Sequence, residues 1–165
     1  MLKEIKAKGL QRYPDAVAEG LIEPGIKPLT DALYASGAYP LASCEGHPMR
    51  LARSRLGWLL PGFKRTQLSS NPYVMFGASE AYARRLQCEC DRQRSRLSHN
   101  WWVRAHFVPG GDYQLAWTIE LNDMRAVNLT IDLGEAHQDI RQLALMARQV
   151  ANLGAPDTDH PHKEL

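Results

Sequence analysis

WWVRAHFVPGGDYQLAWTIEL, residues 101–121, alternates apolar and polar side chains on either side of a Pro-Gly-Gly-Asp turn. Side chains on a strand point to opposite faces with a period of two, so the pattern predicts an antiparallel hairpin. With Phe107 opposite Tyr113, Ala105 faces Leu115, Val103 faces Trp117 and Trp101 faces Ile119. One face is then wholly apolar and suited to a core. Trp102, Arg104, His106, Gln114 and Thr118 share the other.

Before the hairpin, Ser79 and Glu80 open a helix whose Tyr82, Ala83, Leu86, Cys90 and Leu97 form one stripe. That spacing puts Cys90 on the core side and Cys88 on the far side. NPYVMFGAS, residues 71–79, reads as a strand from Tyr73 to Phe76. Further upstream, Ile26, Leu29, Leu33 and Tyr34 recur at helical spacing, Gly37 closes that helix, and a strand follows around Tyr39 to Ser43. The first 25 residues are helical in part, with breaks at Pro14 and at Pro24-Gly25. Residues 49–71 show no steady period and read as an insertion with one helical turn around Leu51 to Trp58. Beyond the hairpin, Val127, Leu129 and Ile131 alternate as a fifth strand. Ile140, Leu143, Met146, Ala147 and Val150 then mark a C-terminal helix. The expectation is an α/β fold, with α+β as its variant: one mixed sheet of about five strands covered by helices. A single domain spans 1–154, followed by a disordered polar tail over 155–165.

At 165 residues and 44% hydrophobic content, the chain can bury one real core. No apolar run approaches the roughly 18 residues of a membrane span. Three cysteines, two of them only two positions apart, argue against a disulfide framework. With no apolar signal segment near residue 1, the expectation is a reduced, cytoplasmic protein without membrane contact. The net charge of +2 conceals a basic middle. Residues 46–104 hold eleven Arg or Lys against three acids, while 105–165 hold four against nine. Such asymmetry suits a polyanion partner such as RNA; a solvated basic helix face would produce it too.

LASCEGHPM, residues 41–49, gathers a thiol, a carboxylate and an imidazole around one glycine. Three readings of this turn stand side by side. Cys44 and His47 have the C-x-x-H spacing that lets two ligands from one turn reach a single zinc. Cys88 and Cys90 cannot complete that site, because helix positions two apart diverge by about 200°. The spacing therefore selects no full ligand set, and no metal site is assigned from it. In the second reading Cys44 is a nucleophile favoured by His47, with Glu45 carrying a proton, which makes Cys44, Glu45 and His47 the candidate catalytic residues. In the third the turn is purely geometric: Gly46 permits a positive φ and Pro48 extends His47.

The helix of residues 26–36, the Ser43-Cys44-x-Gly46 strand-to-turn, the PYVMF strand and Ala83 to Leu86 together resemble the wybutosine-synthesising tRNA methyltransferase family, at its third-step enzyme. The resemblance covers about Gly25 to Asn100. It implies S-adenosylmethionine as cofactor and a modified guanosine in RNA as substrate, with the site at Ser43 to His47. The chain departs from the family turn at Glu45 and His47. Chains with an SCEGH turn also resemble small bacterial or mobile-element proteins.

On the hairpin's polar face, Trp102, Arg104 and His106 form an aromatic plate beside a guanidinium, the means by which single-stranded nucleic acid is gripped. Ser43, Arg50, Arg53, Arg55, Lys64 and Arg65 add polar and basic groups next to the CEGH turn. The candidate nucleic-acid surface thus comprises those six residues with Trp102, Arg104 and His106. The expected function is an RNA- or nucleotide-directed protein, possible kin of methyltransferases. A non-enzymatic factor that binds a protein partner, and a metal-dependent hydrolase built on Cys44, Glu45 and His47, are the alternatives.

Overall fold

The 101–121 hairpin forms in the computed structural model, which describes residues 12–48, 65–66, 68–108, 114–123 and 131–153. In chain order a helical stretch over 12–18 (α1) precedes α2, Lys27–Ala35, and β1, Tyr39–Cys44; α1 runs through Pro14, where a break was expected, because proline is tolerated in the first turn of a helix. Three short strands follow: β2, His47–Pro48; β3, Arg65–Thr66; and β4, Leu68–Ser70. Then come β5, Tyr73–Gly77; α3, Glu80–Arg92; β6, Trp101–Val108; and β7, Gln114–Leu121. The described part closes with β8, Ile131–Asp132, and α4, Leu133–Asn152.

In the hairpin, Phe107 pairs with Leu115, Ala105 with Trp117, Val103 with Ile119 and Trp101 with Leu121. This pairing is two residues away from the expected one, and the ladder's last pair is Val108–Gln114. A shift of two leaves every side chain on its own face, so the division into an apolar and a polar face stands.

The chain is an α/β protein: helices and strands share one core. The main sheet runs β1-β5-β7-β6, and each neighbouring pair is antiparallel. The sequence suggested a mixed sheet of about five strands. The difference has a topological cause. β5 and β6 run in the same direction and are joined through α3, as in a mixed sheet. The short hairpin connection keeps β7 beside β6, so β7 separates the two parallel strands as in a split βαβ unit. Ile131 does lie on a strand, but it pairs with Thr66 in a separate two-residue ladder. The expected Val127 and Leu129, the helical turn of 51–58 and the tail from residue 154 lie outside the described residues.

The helices cover one face of this sheet. Val74, Phe76, Trp101, Trp117, Ile119 and Leu121 meet Leu29 and Leu33 of α2, Leu86 and Cys90 of α3, and Ile140, Leu143 and Met146 of α4 in one buried cluster. Each large side chain so buried contributes roughly 1.5–3 kcal/mol. α3 starts where Ser79 Oγ accepts the Tyr82 N–H at 3.2 Å. α4 begins earlier than its apolar stripe suggests, because the Asp132 carboxylate accepts the N–H groups of Gly134 and Glu135 at 2.7 and 3.3 Å. Cys90 is buried and burial pushes its thiol up to about 12, while Cys88 is exposed. Cys90 is therefore not a reactive thiol.

One buried carboxylate holds α4 to the entrance of β6. Asp139, 1% exposed, accepts the N–H groups of Ser98 at 2.7 Å and His99 at 2.9 Å, the His99 ring Nδ1–H at 2.9 Å and the Trp101 indole N–H at 3.1 Å. An ionised carboxylate only accepts, so the His99 proton sits on Nδ1. Asp139→Ala leaves these donors buried and unpaired and is expected to destabilise the protein by roughly 3–5 kcal/mol. Urea unfolding followed by tryptophan fluorescence measures that loss.

Candidate functional site

The CEGH turn begins where β1 ends. A bulge at Leu41, where Pro40 pairs with Phe76 but Ala42 with Met75, sets the face on which the rest of β1 presents its side chains. Ser43 pairs with Val74 on the helix-covered face, and Cys44 pairs with Tyr73 on the open one. The sequence placed Ser43 and Cys44 in one site. The strand period separates them. Ser43 instead lines a cleft of about 260 Å³ with Arg12, Tyr13, Ile22 and Pro40.

Past Cys44 the backbone reverses at Gly46, whose φ is +87°. A Cβ there would lie 2.8 Å from Pro72 Cγ, so only glycine satisfies both the angle and the space. The reversal lets His47 pair with Ser70 of β4 and returns its imidazole toward Cys44. A residue far upstream completes the group. Glu23 Oε1 lies 2.9 Å from His47 Nε2, and the ligand atoms of Glu23, Cys44 and His47 all lie within 4.8 Å of one another.

Each member is held in place. The Glu23 carboxylate accepts the Glu45 N–H at 2.7 Å through its other oxygen. Cys44 Sγ accepts the Gly46 N–H at 3.4 Å and lies 3.4 Å from Ser70 Oγ. Glu45 turns its own carboxylate away, accepting the Gly25 N–H at 2.6 Å. Glu23 and Glu45 thus cross-brace the two segments. From α4, the His137 ring meets the Glu45 carbonyl at 3.2 Å. A Cβ at Gly25 would lie 2.5 Å from His137 Nε2 and 2.7 Å from Glu45 Oε2, so a side chain there would displace both from these contacts.

The structure brings Cys44 and His47 together and gives Glu45 a bracing contact beside them. Glu23 was not legible: it lies 21 positions from Cys44 and carries no motif. Its only signal was its place beside Pro24-Gly25, the break that bends the chain toward the turn.

The hairpin's polar face is open at Trp102, which is 49% exposed. The Arg104 guanidinium lies 5.2 Å from the indole centroid, and its Nε donates to Glu120 Oε1 at 3.0 Å. His106 Nε2 and Thr118 Oγ1, on the same face, are buried without a hydrogen-bond partner. Arg50, Arg53, Arg55 and Lys64 lie outside the described residues; Arg65 stands opposite Asp132 in the β3–β8 ladder. No described helix is long and apolar enough to cross a membrane. Comparison with family models, curated proteins and solved structures finds no match for this chain.

Gly46→Ala joins a left-handed backbone cost of about 1–2 kcal/mol to the overlap with Pro72. Gly37→Ala, at φ +79° with nothing within 4 Å of its Cβ, carries the backbone cost alone. Thermal unfolding should therefore show the larger drop for Gly46→Ala.

Proposed function

We propose that this chain is a metal-dependent hydrolase whose divalent ion, zinc by ligand chemistry, is held by Glu23, Cys44 and His47. The observation that carries this reading is the convergence of a carboxylate, a thiol and an imidazole within 4.8 Å on a hydrogen-bonded frame. Tetrahedral zinc with bonds of about 2.0–2.3 Å sets its ligand atoms roughly 3.2–3.6 Å apart, so the group needs only a small contraction. The 2.9 Å contact between Glu23 and His47 is a hydrogen bond that a shared ion would replace and open slightly.

The surroundings support the same reading. The Gly46 N–H points at the sulfur and the Glu45 N–H orients the carboxylate; both are outer hydrogen bonds of the kind that position metal ligands. With the His47 side chain 49% and Glu23 33% exposed, solvent reaches the group. Among the described residues three ligands converge; three protein ligands with an open fourth position are the pattern of catalytic rather than structural zinc, and an ion so held would bring the pKa of a bound water toward 7. In the overall reaction one water is consumed. Its hydroxyl joins the electrophilic atom, its proton goes to the leaving group, and nothing is oxidised or reduced. Glu45, engaged with Gly25, acts as a brace in this reading.

Metal-free protein titrated with zinc should take up one equivalent. Glu23→Gln, Cys44→Ser and His47→Ala should each weaken binding by at least about tenfold. Cobalt in place of zinc should show a sulfur-to-metal charge-transfer band that Cys44→Ser removes. Release of nitrophenol from p-nitrophenyl acetate or bis(p-nitrophenyl) phosphate should stop with chelator and return with one equivalent of zinc. Failure to bind zinc, or binding untouched by all three substitutions, rules the proposal out.

A further inference from the structure

The sheet register connects the Glu23–Cys44–His47 group to the far hairpin strand. Cys44 is opposite Tyr73, Tyr73 opposite Glu120 and Glu120 opposite Trp102, so the four side chains form one row across the open face. The next row is Ala42, Met75, Thr118 and Arg104. With strands about 4.8 Å apart, the path from Cys44 to Trp102 is roughly 14 Å.

We infer that this face takes a single strand of nucleic acid, with a base stacked on Trp102 and the backbone running along the row toward the metal ligands. As a statement of substrate class it rests on the metal-dependent reading above. The row spans roughly four stacked nucleotides, at the short end of single-strand footprints. Trp102 is half-exposed, and the Arg104 guanidinium stacks beside it, held flat by Glu120. A planar ring against an indole backed by a guanidinium is a base-stacking platform, and it accepts any base because every base has a π face. Tyr73, half-buried midway along the row, gives a second ring at the same level. Of the described basic residues in 46–104, Arg104 alone belongs to these two rows. The Arg104–Glu120 pair cancels its own charge, so the contact at Trp102 works by stacking.

Fluorescence anisotropy of labelled oligouridylate and oligothymidylate, on zinc-loaded full-length protein at low salt, tests this. Wild type should bind, Trp102→Phe should retain most of the affinity, and Trp102→Ala should lose about 5- to 100-fold. The zinc stoichiometry of Trp102→Ala should be unchanged, which separates this face from the metal group. Tighter binding of the uridylate would mark RNA, and equal binding would mark either strand; both support the face. Trp102→Ala binding as tightly as wild type overturns the inference, and so does zinc-loaded wild type that captures neither oligonucleotide. A protein that takes no zinc yet still binds through Trp102 overturns the metal centre and leaves the stacking face standing.

Discussion

The Asp139 carboxylate sets the frame on which the rest depends. It is almost wholly buried, yet its charge costs little because Ser98, His99 and Trp101 aim four donors at it. Those bonds tie the middle of α4 to the chain just before β6. With α4 fixed there, its first turns press on the candidate site: Leu133 lies beside Gly46, and His137, two residues before Asp139, reaches the Glu45 carbonyl. A His–Asp pair of this kind resembles an acid–base dyad. At 1% exposure no substrate reaches it, and its role is to anchor.

From that anchor the site is built by opposed braces. Glu23 supports the turn by accepting the Glu45 N–H, and Glu45 supports the Glu23 segment by accepting the Gly25 N–H. Each bond fixes a flexible glutamate side chain on a backbone N–H. Both oxygens of Glu23 are thereby directed, one to backbone and one to His47. A side chain at Gly25 would displace His137 and Glu45, and one at Gly46 would meet Pro72. Donors restrained in this way lose little freedom when they converge on one ion, which is the physical advantage of preorganisation.

The open face and the metal group belong to one geometry because of two local features. The bulge at Leu41 turns Cys44 to the face that also carries Trp102. Antiparallel pairing through β5 and β7 then lines up the intervening residues. A one-residue change in any one of these registers would put Cys44 and Trp102 on opposite faces of the sheet.

Sequence alone determined the elements governed by local periodicity. The hairpin and its two faces, the Ser79 cap, the Gly37 helix end, and the burial of Cys90 against the exposure of Cys88 all follow from the chain's period and turn chemistry. So did the pairing of Cys44 with His47, because a C-x-x-H turn brings its own ends together. Tertiary structure alone decided what depends on distant segments meeting. The order of the sheet waited on the insertion of β7 between β5 and β6. Glu23 enters the site where Gly25 packs against His137 and Glu45. Such contacts join residues 20 or more positions apart, and no local pattern encodes them, because the energy that selects them is shared across the whole core.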